Sequence, residues 1–512
     1  MSGITLTASV RQNLLALQST ASLLAKTQNN LATGNKVNTA LDNPTEFFTA
    51  QSLNNRASDI SNLLDGISNG VQVLQAANTG LTSLQALVAN AQSIANQVLQ
   101  APTGYDTKSN VTSAALTNAT ATNLLNAATS PVTGSVVKND NTTSVAITSA
   151  TLLSGTGGSS SNDLATGITT GDTLVVNGTT FNFIAGATSS GTSIGIGDTV
   201  GDLLSTINAA VGTSSSISNG QITITPPSQG LTLSGTALAK LGLTTQGNSI
   251  TGETLTIGAT GGGTATSITF GLGTGQISTL NQLNNALAAN NLQAGVNTNG
   301  SINIVTTNDV ASATMGAIGG TAAAVGAAFN GLTAAAPVAD VNSQATRANL
   351  VNQYNNVLTQ INTTAQDASF NGINLLNGDT LKLVFNETGK STLSIQGVTF
   401  NATGLGLSAL TEGTDFVDSS SANKALTALN TASTSLRAES SALGSNLSIV
   451  QSRQDFNKNL IHVLQTGASN LTLADTNEEA ANSQALSTRQ SIAVSALALA
   501  NQSQASVLQL LR

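Results

Sequence analysis

The 512-residue chain has no cysteine, no tryptophan, two tyrosines, six prolines and a single histidine. Without cysteine there are no disulfides, no thiolate metal sites and no cysteine nucleophile. With His462 as the only histidine, most acid/base constellations and any two-histidine zinc site cannot be assembled. Charge is scarce as well. Lys and Arg number 16 against 24 Asp and Glu, a net charge of −8, which leaves no basic footprint for a phosphate backbone and argues against nucleic acid as a partner. Aromatics make up 3% of the chain, so any core is thin and aliphatic. Long apolar runs are missing too: "SIAVSALALA" (Ser491 to Ala500) is about half the roughly 20 residues needed to span a bilayer. The start, "MSGITLTASVRQNLLALQ", meets its first charge at Arg11 and is polar-interrupted, unlike a secretory signal. Neither membrane insertion nor a cleaved signal peptide is expected.

Each motif that could carry chemistry has a plainer reading. His462 lies between Ile461 and Val463, one step off a helical seam; no nucleophile or orienting carboxylate accompanies it, so it reads as a helix-surface or subunit-contact residue. "GKST" at Gly389 has Val384 where a phosphate loop needs glycine, and its setting is a hairpin turn rather than strand, loop and helix. "GLGTGQ" (Gly271 to Gln276) and the glycines from Gly261 read as turns. The aspartates lack calcium-loop spacing. No catalytic, cofactor-binding or metal-binding residue is assigned, no cofactor is implied and no enzymatic activity is expected.

What the chain does have is heptad patterning at both ends. Leu53, Ala57, Ile60, Leu64, Ile67, Val71, Leu74, Asn78, Leu81, Gln85, Val88, Gln92, Ala95 and Leu99 fall on alternating steps of four and three, a coiled-coil seam. Leu426, Leu429, Ser433, Leu436, Ser440, Leu443, Leu447, Val450, Gln454, Asn457, Ile461 and Leu464 repeat those steps, which makes the two helices candidate partners. Outside them come Val10, Leu14, Leu17, Ala21, Leu24, Gln28 and Leu31 at the start, and Leu486, Gln490, Ala493, Leu497, Ala500, Gln504, Val507 and Leu511 at the finish. The inner seam is expected to close within one chain. The terminal segments carry Asn, Gln, Ser and Ala on the seam and other faces, too little to hold a lone pair together, so their packing is expected between subunits. The candidate assembly residues are therefore Val10, Leu14, Leu17, Leu24, Leu31, Leu486, Ala493, Leu497, Ala500, Val507 and Leu511. Asp42, Asn43 and Pro44 mark the helix break, since proline restricts its predecessor and short polar side chains cap a new helix.

A third helix is predicted over about 345–364 with Leu350, Tyr354, Val357 and Ile361 on one face, ending in the turn signal Asn371-Gly372. "LKLVF" (Leu381 to Phe385) and "TLSIQGVTF" (Thr392 to Phe400) then read as a β-hairpin. The middle repeats itself: "GDTLVV" at Gly171 returns as "GETLTI" at Gly252, and "NGQITI" at Asn219 as "NGSINI" at Asn299, with a short amphipathic helix between each pair. Two copies of a strand, helix and hairpin module are expected. The fold class is thus α+β and multidomain: a long α-helical coiled-coil stalk from the N- and C-terminal segments with a small β-hairpin, plus inserted β-rich outer domains. Its expected parts are an inner terminal helix (1–42) pairing with 475–512, the N-terminal part of the coiled coil (43–100), the insert (101–340, with repeats at about 165–250 and 251–335), and the helix, hairpin and C-terminal helix of the coiled coil (341–474).

These features resemble bacterial flagellin. The resemblance rests on "NNLATGNKVNTALDNPTEFF" (Asn29 to Phe48), "RQSIAVSALALANQSQASVLQLLR" (Arg489 to Arg512) and "SFNGINLLNG" (Ser369 to Gly378), with "STINAA" (Ser205 to Ala210) similar to a repeat of flagellin and hook-associated outer domains. It implies a structural subunit that polymerises with itself into the extracellular filament of the bacterial flagellum for swimming motility. It further implies export through the flagellar type III apparatus, and an export chaperone, a filament cap and hook–filament junction proteins as partners. Two features depart from enteric flagellins. The insert precedes the helix that leads to "SFNGINLLNG", and Ser83, Gln85 and Ala86 stand where an innate-receptor motif has two arginines and a glutamate. A hook–filament junction protein and a secreted adhesin with repeat modules are the alternative readings; the "SVLQLLR" ending and the self-repeating insert favour flagellin over the first, and the second leaves the paired terminal heptads unexplained.

Overall fold

The computed structural model describes residues 8–154 and 161–510, and the side chains of all of these except 507–510. Val507 therefore falls outside the described side chains, and Leu511 outside the described residues altogether. Among the described residues seven α-helices follow in chain order: α1 (Ala8–Thr33), α2 (Pro44–Gln100), α3 (Val200–Val211), α4 (Leu280–Leu287), α5 (Val341–Asp367), α6 (Ser419–Thr472) and α7 (Thr476–Leu510). The long helices flank a central region of several small sheets, an α+β arrangement. The chain divides into two compact units, one of Met1–Ala89, Thr359–Leu407 and Thr431–Arg512, the other of Asn90–Leu358 and Ser408–Asn430.

In the first unit, α2 and α6 run antiparallel, as a series of contacts shows. Leu53 meets Gly467, Ala57 and Ile60 cluster with Leu464, Gln454 Nε2 donates to Ser68 Oγ at 2.7 Å, and Ser440 Oγ lies 3.3 Å from Asn78 Oδ1. The buried line of α6 is a strict seven-residue repeat: Leu429, Leu436, Leu443, Val450, Asn457 and Leu464, one position of a coiled-coil heptad. On α2 the apolar seam holds through Leu74, Leu81, Val88 and Ala95. Its other half shifts by one residue, so that Ala77, Leu84, Ala91 and Val98 are buried where Asn78, Gln85, Gln92 and Leu99 were expected, and Leu99 is 37% exposed. Around Gly70 and Gly80 the helix has a second neighbour. Gly70 abuts Leu383 of the hairpin and Gly80 abuts Ala368 and Leu376, so α2 buries a wider face than a two-helix seam requires.

The hairpin pairs Thr380–Val384 with Thr392–Gln396. Its second strand stops at Gln396 because the backbone at Gly397 turns against the carbonyl of Leu375, and Val398 and Phe400 bond to Leu375 and Leu376 instead. On α5 the buried residues are Leu350, Val351, Tyr354, Leu358, Ile361 and Ala365, whereas Val357 is only half-buried. A face repeating every three to four residues from Leu350 lands on Leu358, one position past Val357.

The second unit contains the two modules, each with its own core. The first core spans Val132 to Leu243, and the second joins Val111–Ala127 to Ile250–Phe329. In the first, the hairpin Thr173–Val176 with Thr179–Ile184 is flanked by Leu233–Ser234 and Ser193–Gly195. Helix α3 follows, and a second hairpin, Ser214–Ser218 with Gln221–Thr225, adds Val132–Thr133 on one side. The second module repeats the plan with Thr254–Ile257 and Thr266–Thr269, then α4, then Leu292–Val296 with Ile302–Thr306 and the added strand Asn110–Thr112. Both helices start with the same capping box, Thr199 with Asp202 and Thr279 with Gln282, which satisfies their first free N–H groups. The repeat also reaches a feature invisible to the strand motifs. Gly235 and Gly320, at φ +116° and +89°, each press against the carbonyl of the equivalent strand residue, Thr173 and Thr254. Only glycine tolerates that approach at positive φ.

Candidate assembly surface

Helix α1 ends at Thr33, and the chain is then tied to the α6–α7 junction. The N–H groups of Lys36 and Val37 donate to Thr472 O (2.7 and 3.3 Å), and Ala474 N donates to Gly34 O (2.9 Å). Asp475 starts α7 by accepting from Asn477 N and Glu478 N at 2.9 and 3.2 Å, an N-cap. With both ends fixed, α1 packs along α7, and Asn30 Nδ2 donates to Glu479 Oε1 at 2.8 Å.

The helix break works as a relay. Asn43 Oδ1 accepts from Glu46 N at 3.2 Å, so Asn43 caps α2 and Pro44 occupies its first position, where a missing N–H costs nothing. Asp42 serves the preceding turn: its Oδ2 accepts from Asn38 N (3.1 Å) and from Thr39 N and Oγ1 (2.9 and 3.1 Å). The Thr39 and Asn38 N–H groups hold its carboxyl below the usual range. Asn371 and Gly372 sit at φ +50° and +78°, and Phe370 and Ile373 exchange both backbone bonds across them, which makes a type I′ turn.

The candidate assembly residues divide between two faces. On α7, Leu486, Ala493, Leu497 and Ala500 are half-buried within the single chain; on α1, Val10 is buried and Leu17 and Leu24 are half-buried. Leu14 and Leu31 are exposed and stay outside that contact. They join Leu15, Leu23, Ile492, Val494 and Leu499, all exposed. The buried residues of α1 are Val10, Thr27 and Asn30. The pair thus leaves several large apolar side chains in solvent, each worth about 1.5–3 kcal/mol if fully buried, and little apolar area at its own contact.

Three polar residues not singled out as site residues from the sequence hold the junctions. Asn374 Nδ2 donates to the carbonyls of Ala365 and Gln366 (2.8 and 2.9 Å), capping the end of α5. Asn457, buried in the α6 seam, donates to Phe385 O at 3.0 Å. In the second unit the guanidinium of Arg347 is buried and donates to Pro102 O through Nε (3.0 Å) and to Phe416 O through Nη1 (2.7 Å). Burial pushes Arg347 down, and the nearby Asp418 opposes that shift. Tyr354, edge-on to Phe416 at 5.8 Å, is pushed up by burial to about 12. The only sequence signal for these three was a polar residue at a heptad position (Asn457) or inside a turn motif (Asn374); Arg347 gave none. His462 is exposed on α6. Among the described residues no group of three or more His, Asp or Glu is placed to hold a metal ion, and no helix is long and apolar enough to cross a membrane.

Residues 5–130 match the family described as the bacterial flagellin N-terminal helical region, and residues 426–511 match the bacterial flagellin C-terminal helical region. Among similar proteins, flagellins FljM and FljK of Caulobacter vibrioides are each 32% identical over 165 residues, covering 32% of this chain and 59% of theirs. A flagellin of Brucella melitensis biotype 1 is 32% identical over 169 residues, covering 30% of this chain and 59% of its own. The chain therefore spans about three fifths of the length of the curated relatives it matches.

Proposed function

We propose that this member of the bacterial flagellin family is a structural subunit that polymerises with itself, through α1 and α7, into the extracellular flagellar filament used for swimming. The observation that carries this reading is the surface of the α1–α7 pair. Leu14, Leu15, Leu23, Leu31, Ile492, Val494 and Leu499 face solvent in the single chain, and neighbouring copies supply the burial that such a surface otherwise lacks. The homologous regions at both ends support the same reading, since they contain the segments that bear these side chains. The role is structural rather than catalytic. Export through the flagellar type III apparatus without a cleaved signal peptide, and an export chaperone, a filament cap and hook–filament junction proteins as partners, belong to this proposal through the family resemblance.

Electron microscopy of purified protein under polymerising conditions tests it, with full-length chain set against a version lacking residues 1–42 and 475–512. Long tubular filaments from the full chain alone are the expected result. A full chain that stays monomeric even with preformed filament seeds would bring the junction-protein or adhesin reading forward.

A further inference from the structure

The two modules differ at one place that their shared plan makes directly comparable. In the second module, Leu292–Val296 is an edge strand, and the N–H and C=O of Ala294, opposite Ile304, point away from the ladder. Asn284 on α4 closes that edge: its Nδ2 donates to Ala294 O (3.2 Å) and its Oδ1 accepts from Ala294 N (2.6 Å). The first module has the same edge in Ser214–Ser218. Counting from the capping boxes, Leu203 and Ile207 match Leu283 and Leu287, all four buried, so Leu204 stands where Asn284 does. Ile224 and Ile304 each lie five residues past the asparagine of the Asn-Gly turn, so Ser215, opposite Ile224, stands where Ala294, opposite Ile304, does. Leucine offers no hydrogen bond.

The ladder shows which way Ser215 faces. Asn219-Gly220 is a two-residue turn at φ +52° and +76°, so Ser218 and Ser216 bond across the hairpin, while Ser215 and Ile217 turn their backbone groups outward. Consistently, Ile222 O is used on the far side of its strand by Gly134 N at 2.8 Å. Among the described residues nothing bonds the outward N–H and C=O of Ser215. A cavity of about 450 Å³ lies beside it, within the first module. Ile147 and Leu204, both buried, form an aliphatic floor with Ile217. Ser149 and Ser205 add polar residues to the lining. Asn208 is oriented by Thr213 and Ser215, whose hydroxyls donate to its Oδ1 at 2.8 and 2.7 Å, which leaves the Nδ2 donors for the cavity. No charged side chain lines it.

We propose that this cavity is a binding site for a neutral saccharide. Hydroxyls and a carboxamide both donate and accept, as sugar hydroxyls do, while the aliphatic floor suits the C–H face of a pyranose ring. The open backbone pair of Ser215 adds one fixed donor and one fixed acceptor. The volume is ordinary for a small-molecule site, and the absence of charge disfavours anionic sugars and phosphates. A peptide adding itself to the strand would use the same open backbone pair of Ser215, and the test below separates it from a sugar.

Ligand-observed saturation-transfer NMR on the monomeric full chain, with glucose, galactose, N-acetylglucosamine and lactose at millimolar concentration, tests the site, with hydrogen exchange followed at residues 214–218. At least one of these sugars is expected to give transfer and to slow exchange at Ser215, whereas glucuronate and glucose 6-phosphate give neither. Ser205→Trp, at an exposed position on the rim, is expected to weaken binding at least tenfold, about 1.4 kcal/mol, without changing the melting transition. Leu204→Asn, which installs the clamp of the second module at a buried position, is expected to weaken binding similarly by occupying Ser215, with some loss of melting temperature from the buried amide. Absence of transfer from all four sugars, or transfer undiminished in Ser205→Trp, overturns the proposal. Protection of Ser215 by a Thr/Val-rich peptide with none by sugars overturns it in favour of strand addition.

Discussion

Asp172 and Lys240 show how a single residue pair separates two otherwise parallel modules. Partial burial pushes the Asp172 carboxyl up. The Lys240 ammonium at 2.5 Å, Thr169 through its N–H and hydroxyl, and the Thr236 hydroxyl outweigh that and bring it to about 2. The ordinary value is 3.8. Below about pH 4 the unfolded chain therefore takes up a proton that the folded module refuses until about pH 2. The pair's contribution is complete above pH 4 and is lost as pH falls through that window. Urea titrations at pH 5 and pH 2.5 are expected to show a loss of about 1–2 kcal/mol for the native protein and a clearly smaller loss for Lys240→Met. In the second module Glu253 and Val325 take the two places, and Val325 is 96% exposed. That module lacks this source of acid sensitivity. Buried polar residues act at the same scale. Asn457→Ala strands the carbonyl of Phe385 inside the seam, and a loss of about 1–3 kcal/mol is expected in thermal or urea melts.

At the scale of the element, the long helices are governed by what touches their glycines. Gly66 on α2 and Gly444 on α6 have open space where a side chain would stand. Gly66→Ala and Gly444→Ala remove only the helical penalty of glycine and are each expected to stabilise the monomer by about 0.5–1 kcal/mol. Gly80 on the same α2 would place a methyl 2.6 Å from Ala368 Cβ and 2.7 Å from Leu376 Cδ1. Ala368 is too short to move aside, so Gly80→Ala is expected to destabilise by about 1–3 kcal/mol; an increase in melting temperature would refute this packing. Polar pairs along α2 and α6, Ser68 with Gln454 and Asn78 with Ser440, occupy a seam that apolar residues alone would leave free to slip by a heptad. Gln454→Leu is expected to retain or raise stability while broadening the register, which cross-linking between engineered cysteines on the two helices would register.

For the whole molecule, assembly and stability are expected to separate. Leu15→Glu combined with Leu499→Glu alters only exposed positions, so the monomer's melting curve should be unchanged while filament yield falls sharply in sedimentation and electron microscopy. Deleting 141–339 removes most of both module cores but none of the α1–α7 surface. That shortened chain is expected to polymerise, and failure to do so would place an assembly contact in the modules. Arg347 ties the residues following α2 to Phe416. Arg347→Met leaves those carbonyls without their donors, and faster hydrogen exchange around 101–105 is expected.

Much of this was legible in the amino-acid sequence because helical and strand periods are written directly in the spacing of apolar residues. The seam of α6 and the half-buried positions of α7 fall where the four-and-three steps place them, and the Asn-Gly turns at Asn219 and Asn371 follow from the φ such turns demand. The tertiary structure alone decided where a helix has a second neighbour. That is why Gly70 and Gly80 are packed against Leu383, Ala368 and Leu376. It also decided which backbone groups lack a partner: Asn284 and Leu204 occupy the same step of matching helices, but only their position over an edge strand makes one a clamp and the other the floor of an open cavity. Spacing within one segment encodes that segment's own face, whereas the identity of what lies opposite depends on residues hundreds of positions away.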